Sequence, residues 1–232
     1  MSNERLKDVE EARIECRRLL EFVREIRQNV PAPRGAPFYG LDGDLPFGFE
    51  TLERLSSRGI FRKYEFVLMT GVGLGGAARW LAVRLGCRVV ALEPRVEIAW
   101  FGRELSRRSH LEQVMFLAAE PEASSLTERA ITHFWRIGGR GLSDAAIAET
   151  RRVLRPGGHF AVQGLPGESQ EELEALAERL RRSGYEDVIV QDEAPVPIDQ
   201  AIRLARRQFG CPADLADEAL PRCWRLFALR PS

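Results

Sequence analysis

The chain has 232 residues, enough for one α/β domain with a full core and too few for two ordinary ones. Lysine plus arginine equals aspartate plus glutamate at 34 each, so no overall field steers it to nucleic acid or anionic lipid. Cys16, Cys87, Cys211 and Cys223 show no C-x-x-C spacing and no histidine pair nearby, which reads as reduced core thiols of a cytoplasmic protein; no apolar run approaches a membrane span.

Residues 4–30 carry a helical pattern in which Val9, Ala12, Cys16, Leu19, Val23, Ile26 and Val30 recur at alternating spacings of three and four. Leu20 and Phe22 broaden that stripe beyond a narrow seam. Three readings stay open: a helix docked on its own domain, a dimerisation helix, or a lid over a ligand. Pro31, Pro33, Gly35 and Pro37 stop the helix, and a turn-rich connector follows with aromatic points at Phe38, Tyr39, Phe47 and Phe49. The connector either wraps a substrate mouth or tethers the helix. The chain is therefore divided into an N-terminal helix and connector, residues 1–49, and a domain at 50–232.

From Thr51 the periodicity alternates regularly. Strands are predicted near 65–70, 88–93, 113–117, 130–135, 158–164, 187–192 and 223–229, with helices near 50–58, 77–85, 95–108, 144–153, 169–183 and 197–208. This alternation implies a mainly parallel sheet covered on both faces.

The most informative stretch is Phe66–Glu93, FVLMTGVGLGGAARWLAVRLGCRVVALE: a strand, a glycine turn, a helix and a second strand closed by a carboxylate. Gly71, Gly73 and Gly75 permit positive φ and leave backbone N–H groups open to a ligand. Glu93, at the tip of the next strand, can accept two hydrogen bonds from a ribose diol. A nucleotide or nucleoside ligand is expected.

These residues resemble the first two motifs of class I S-adenosylmethionine-dependent methyltransferases of the small-molecule type, with their D-x-G-x-G-x-G-G loop followed by A-R-Y-L-A. A second anchor, Glu149–Gln163 (ETRRVLRPGGHFAVQ), is similar to the family's E-x-x-R-V-L-K-P-G-G segment. The resemblance covers the chain from about residue 50 onward. It implies a Rossmann-like fold with seven strands, mostly parallel, the last antiparallel, plus the N-terminal helical extension. It implies S-adenosylmethionine as cofactor and S-adenosylhomocysteine as product, held by Thr70, Gly71, Gly73, Gly75, Glu93 and Glu120, with no metal. In that scheme Glu93 holds the ribose, and Glu120 sits where the family's Asp accepts from the adenine amine; Glu120 also reads as an ordinary loop carboxylate.

The chain departs from the family at two places. Met69 stands where a strand-end acid helps to hold the methionine ammonium, so one charge-assisted hydrogen bond is missing, and Met69→Asp is expected to restore it. After the fourth strand the chain reads Arg136-Ile137-Gly138-Gly139-Arg140 with no evident general base, so no catalytic residue is assigned. His133 could serve as a base, but beside Trp135 on one strand face it reads rather as a packed or solvent-bridged residue, and His110 and His159 lack a carboxylate motif that would make a triad or metal centre. Two functions compete. One is a methyltransferase acting on a small molecule; methyl transfer needs mainly alignment, so a base is dispensable when the acceptor is already nucleophilic. The other is a pseudoenzyme, a methyltransferase-like binding or scaffolding subunit of a homodimer or of a heterodimer with a related methyltransferase. A nicotinamide-dependent reductase has less support, since no Tyr-x-x-x-Lys pair is present.

Overall fold

The structure of the protein is a computed structural model that describes residues 3–42, 48–57, 59, 61–137, 141–164, 168–193, 200–210 and 223–231. Among them, β-branched and aliphatic runs form the strands β1 (Phe66–Thr70), β2 (Arg88–Leu92), β3 (Val114–Leu117), β4 (Ile131–Arg136), β5 (Leu154–Gln163), β6 (Glu186–Glu193) and β7 (Cys223–Leu229). The helices are α1 (Asn3–Ile26), α2 (Gly48–Ser56), α3 (Gly76–Leu85), α4 (Val96–Arg108), α5 (Asp144–Val153), α6 (Gln170–Arg182) and α7 (Gln200–Phe209). The strands make one seven-stranded sheet in the order β3-β2-β1-β4-β5-β7-β6. The first five strands pair in parallel, while β7 runs antiparallel to both β5 and β6, the arrangement that the family resemblance implies.

The helix ends follow from local chemistry. The α3 helix starts after Gly75 (φ 92°) and stops at Gly86 (φ 72°), whose N–H donates back to the Ala82 carbonyl. Ser143 caps α5 by accepting from the Ala146 N–H at 3.0 Å. Before α6, Glu172 N–H donates to Ser169 Oγ at 3.2 Å, and Ser169 N–H donates to Glu172 Oε2 at 2.7 Å, a reciprocal capping box.

Alternation along the central strands splits the core in two. Val67, Met69, Trp135 and Ala161 pack with α2 and α3 residues such as Leu52, Trp80 and Leu81. Leu68, Phe134, Phe160 and Val162 pack with Ile147 of α5 and Leu173 and Leu176 of α6. Each face of the sheet therefore buries its own apolar set, which is why the strands read as continuous hydrophobic runs.

Two boundaries differ from the sequence reading by four residues, the others by less. The β5 strand begins at Leu154, four residues early, because the Pro156-Gly157-Gly158 turn is itself paired: Gly157 N–H donates to the Arg230 carbonyl at 2.8 Å and Arg230 N–H to the Gly158 carbonyl at 3.0 Å. The α1 helix ends at Ile26 rather than residue 30, its last carbonyl accepting from Asn29 and Val30 N–H in a tightened turn before Pro31.

From Cys16 onward the stripe of α1 is covered by the chain itself. Cys16, Leu19, Val23 and Ile26 are buried against Phe38, Tyr39, Leu105 of α4 and Ala205 of α7. The α7 helix, inserted between β6 and β7, reaches back to α1: Phe209 packs on Phe22 with ring centroids 5.1 Å apart, and its carbonyl accepts from Arg18 Nη2 at 2.6 Å. The connector aromatics are anchors rather than a loose tether. Phe38, Tyr39 and Phe49 are all buried, and the Tyr39 hydroxyl donates to the Val30 carbonyl. Phe47 lies outside the described residues.

Candidate functional site

The sheet order fixes where a ligand crevice must open. From β1 the chain turns to α3 on one face, whereas from β4 it turns to α5 on the other. Adjacent strands whose connections leave in opposite directions part at their C-terminal tips, and such a switch point is where open α/β sheets hold ligands. Thr70 and Arg136, the last residues of β1 and β4, are register partners at that point.

On the β1 side the glycine turn has the conformation that the sequence requires. Gly71, Gly73 and Gly75 have φ of 68°, 51° and 92°, a left-handed series that leads into the α3 N-terminus. Gly71 and Gly73 are half-buried, within reach of a ligand. Gly75 has a different reason for lacking a side chain: a Cβ there would lie 2.4 Å from Phe116 Cζ, so Gly75 seats β3 against α3.

Glu93 follows β2 and is only 3% exposed. Its Oε1 accepts from Arg95 Nε at 2.7 Å and from Arg95 N–H at 3.2 Å. The Arg95 side chain is 65% exposed, so the ion pair that a competing donor at Glu93 would replace faces solvent. Glu120 lies in solvent beyond β3, two strands from β1, where its carbonyl accepts from Ala123 N–H at 3.0 Å. Thr70 is buried, and its hydroxyl has no hydrogen-bond partner among the described residues.

Met69 is fully buried in the core on the α3 face. An aspartate there would carry an unpaired carboxylate into an apolar site, so the expected gain from Met69→Asp comes with a large loss of stability.

The connector docks on the start of α3, a contact that the sequence did not reveal. The Asp42 carbonyl accepts from Gly76 N–H at 3.0 Å, at the start of α3. Its Oδ2 accepts from Arg79 Nε at 3.0 Å and Arg79 Nη2 at 2.6 Å, both residues being fully buried. Arg79 also donates to the Gly102 carbonyl, Ser106 Oγ and the Leu74 carbonyl, so every nitrogen of its guanidinium is used.

On the β4 side the tips carry buried polar residues. Arg136 is 1% exposed and donates from Nη2 to both carboxylate oxygens of Glu168, at 2.7 and 2.8 Å. One strand further, Arg225 Nε donates to Gln163 Oε1 at 2.9 Å. These pairs were missed in the sequence because their members lie far apart along the chain; the available signal was an apolar strand ending in a polar residue, as in Phe134-Trp135-Arg136 and Ala161-Val162-Gln163. Residues 138–140, which complete the segment read as lacking a base, lie outside the described residues.

The histidines stand away from the tips. His133 pairs in register with Val67, three residues before the end of β4, and is sandwiched between Phe61 (4.0 Å between centroids) and His159 (5.4 Å). Burial pushes the His159 imidazole below its ordinary value. These rings line a separate cavity of about 270 Å³ on the sheet face, with Trp135, Ile189 and Phe227. His110 is exposed in the turn after α4. Cys87 is buried and unbridged, its thiol pushed up to about 11 by burial and the nearby Glu65 charge; Cys16 is a second buried free thiol, and Cys211 lies outside the described residues. Among the described residues no cluster of potential metal ligands occurs, and no helix is long and apolar enough to cross a membrane.

No protein-family model and no curated protein sequence matches the chain. Its fold is that of class I methyltransferases. A phosphoethanolamine N-methyltransferase of Haemonchus contortus, solved with phosphomonomethylethanolamine and S-adenosylhomocysteine, superposes at a TM-score of 0.58 and 17% identity, covering 79% of this chain and 52% of that one. The chain thus spans about half the length of that relative. An S-adenosylmethionine-dependent O-methyltransferase of Thermotoga maritima matches at 0.59 and 16% identity, with 79% and 65% coverage. The [4+2]-cyclase SpnF matches at 0.56 and 18% identity, with 78% and 80% coverage.

Proposed function

We propose that the protein is an S-adenosylmethionine-dependent methyltransferase acting on a small molecule, with S-adenosylhomocysteine as its product. The observation that carries this reading is the left-handed glycine series at 71, 73 and 75 set beside the buried Glu93 at the tip of the neighbouring strand. These residues fit the nucleoside part of the cofactor. The glycine turn lies against it, Glu93 exchanges Arg95 for the ribose diol, and Thr70 and Glu120 complete the proposed set at the β1 and β3 tips. Bound S-adenosylmethionine supplies an activated methyl group with its own leaving group. The protein's share is then alignment and exclusion of water.

A second reading is that methyl transfer has been lost and the chain is a binding or scaffolding subunit. Met69 favours it, because a core thioether cannot neutralise the methionine ammonium. So does the absence of a histidine from the β4 tip, and the SpnF likeness places this fold in a protein described by a different reaction. The experiment that decides is calorimetry of the full chain with S-adenosylmethionine and S-adenosylhomocysteine. Micromolar binding of both supports the enzyme; no binding of either removes the cofactor from the proposal.

Residues 1–49 are proposed as a layer that walls the ligand mouth of the 50–232 domain. Because the α1 stripe from Cys16 to Ile26 is already covered, a homodimer or a heterodimer with a related methyltransferase would use the outer surface, where Ile14 and Trp100 are each 59% exposed. Light scattering on the full chain tests that association. The isolated buried thiols support a reducing, cytoplasmic setting.

A further inference from the structure

We infer that Thr70 and Arg136 form an oxyanion-binding subsite at the β1–β4 switch point, taking the carboxylate or phosphate of a bound ligand. The inference rests on the reading of the strand tips as the ligand crevice. Neighbouring parallel strands lie about 4.8 Å apart, and Thr70 and Arg136 are register partners. By strand alternation Thr70 shares a sheet face with Leu68 and Arg136 shares one with Phe134; Leu68 and Phe134 belong to the same core cluster, so both polar side chains leave the sheet on the same side.

Both residues are more than nine-tenths buried, yet their donors are incompletely used. The Thr70 hydroxyl and the Nε and Nη1 of Arg136 have no hydrogen-bond partner among the described residues. Glu168 engages only Nη2. A guanidinium presents five N–H donors in a planar fork, so three are left facing outward from that ion pair. Buried donors of this kind are rarely left unmatched in a folded protein.

Arg79 shows how this protein satisfies an arginine whose role is only structural: carboxylate, carbonyl and hydroxyl oxygens meet every nitrogen. Arg136 is equally buried and is not treated that way. Its free nitrogens and the threonine hydroxyl offer donors at the point where the sheet parts, with no acid at Met69 to offset them. That arrangement selects an anionic oxygen group over an ammonium. Two ligands could bring such a group: the amino-acid carboxylate of the cofactor, or an anionic group on the substrate.

The test uses the full chain, Arg136→Gln and Thr70→Val, the latter nearly isosteric and safe for folding. Calorimetry with S-adenosylhomocysteine is compared with 5′-methylthioadenosine, which keeps the nucleoside and lacks the carboxylate. Thermal unfolding with sodium phosphate, against chloride at equal ionic strength, reports the anion alone. If the cofactor carboxylate fills the subsite, Arg136→Gln weakens S-adenosylhomocysteine about tenfold or more and Thr70→Val by about fivefold, while 5′-methylthioadenosine is unchanged. If the substrate fills it, both variants keep their S-adenosylhomocysteine affinity but lose the protection that phosphate gives its complex with the full-length parent. Should neither nucleoside bind while phosphate still protects the parent and not Thr70→Val, the cofactor reading falls and the oxyanion site stands. Unchanged S-adenosylhomocysteine affinity together with unchanged phosphate response in Thr70→Val overturns the inference, whether or not Arg136→Gln folds.

Discussion

On the β1–β2 side of the crevice, Arg79 is enclosed by the Asp42 carboxylate, two backbone carbonyls and a serine hydroxyl, and Glu93 holds an arginine that solvent can take back. On the β4–β5 side, Arg136 is just as buried, but among the described residues it meets one carboxylate, through one of its three nitrogens. The first side satisfies every nitrogen of its arginine and has an exchangeable acid; the second keeps donors at the strand tips that have no partner among the described residues. Burial alone therefore does not reveal what a charged residue is for. What distinguishes Arg136 from Arg79 is that two of its nitrogens have no partner among the described residues and lie beside the Thr70 hydroxyl at the switch point.

The largest expected effect breaks the first side. Asp42→Ala leaves the Arg79 guanidinium buried without its counterion, and urea unfolding should show a loss of about 3–5 kcal/mol. A loss below about 1 kcal/mol would mean that Arg79 finds a replacement partner, and the contrast between the two arginines would weaken. Next is Gly75→Ala, which adds a Cβ 2.4 Å from Phe116 Cζ at a φ of 92° and should cost about 2 kcal/mol in the same assay. Its relief by Phe116→Leu in the double variant would identify the clash as the cause.

A smaller change sharpens the ligand side. Glu93→Ala should weaken S-adenosylhomocysteine about tenfold, or roughly 1.4 kcal/mol, in calorimetry. An unchanged affinity removes Glu93 from the site. The smallest effect concerns the sheet-face cavity rather than the tips. Burial holds the folded His159 pKa below the ordinary 6.5, so the unfolded chain takes up the proton first as pH falls. The contribution of neutral His159 is fully present above about pH 6.5 and is lost on acidification below it. The melting temperature of His159→Gln should accordingly fall less than that of the parent between pH 7.5 and 5.5.

The strand–glycine–helix unit was legible because its constraints are local. Gly71, Gly73 and Gly75 announce a backbone that other residues adopt at a cost, and Glu93 follows at the next strand tip. The capping box Ser169–Glu172 likewise needs only residues three apart. The Leu154 start of β5 was not legible, since Pro156-Gly157-Gly158 looks like a free turn until Arg230 of the C-terminal segment pairs with it. Of the proposed site residues, Glu93 and the glycines could be read from spacing, while the unmatched state of Thr70 could not: a threonine hydroxyl has many local partners, and only its surroundings show that none is taken.

By itself the sequence determined the element order, the sheet's two buried faces and the glycine turn, all properties of short-range periodicity and backbone preference. The tertiary structure decided that α1 covers its own domain, that Asp42 is the counterion of Arg79, and that Thr70 and Arg136 stand side by side with donors to spare. Those relations join residues from 37 to 66 positions apart or on different layers. Hydrogen bonding and desolvation act on distances in space, and a one-dimensional pattern records none of those distances until the sheet order brings the strands together.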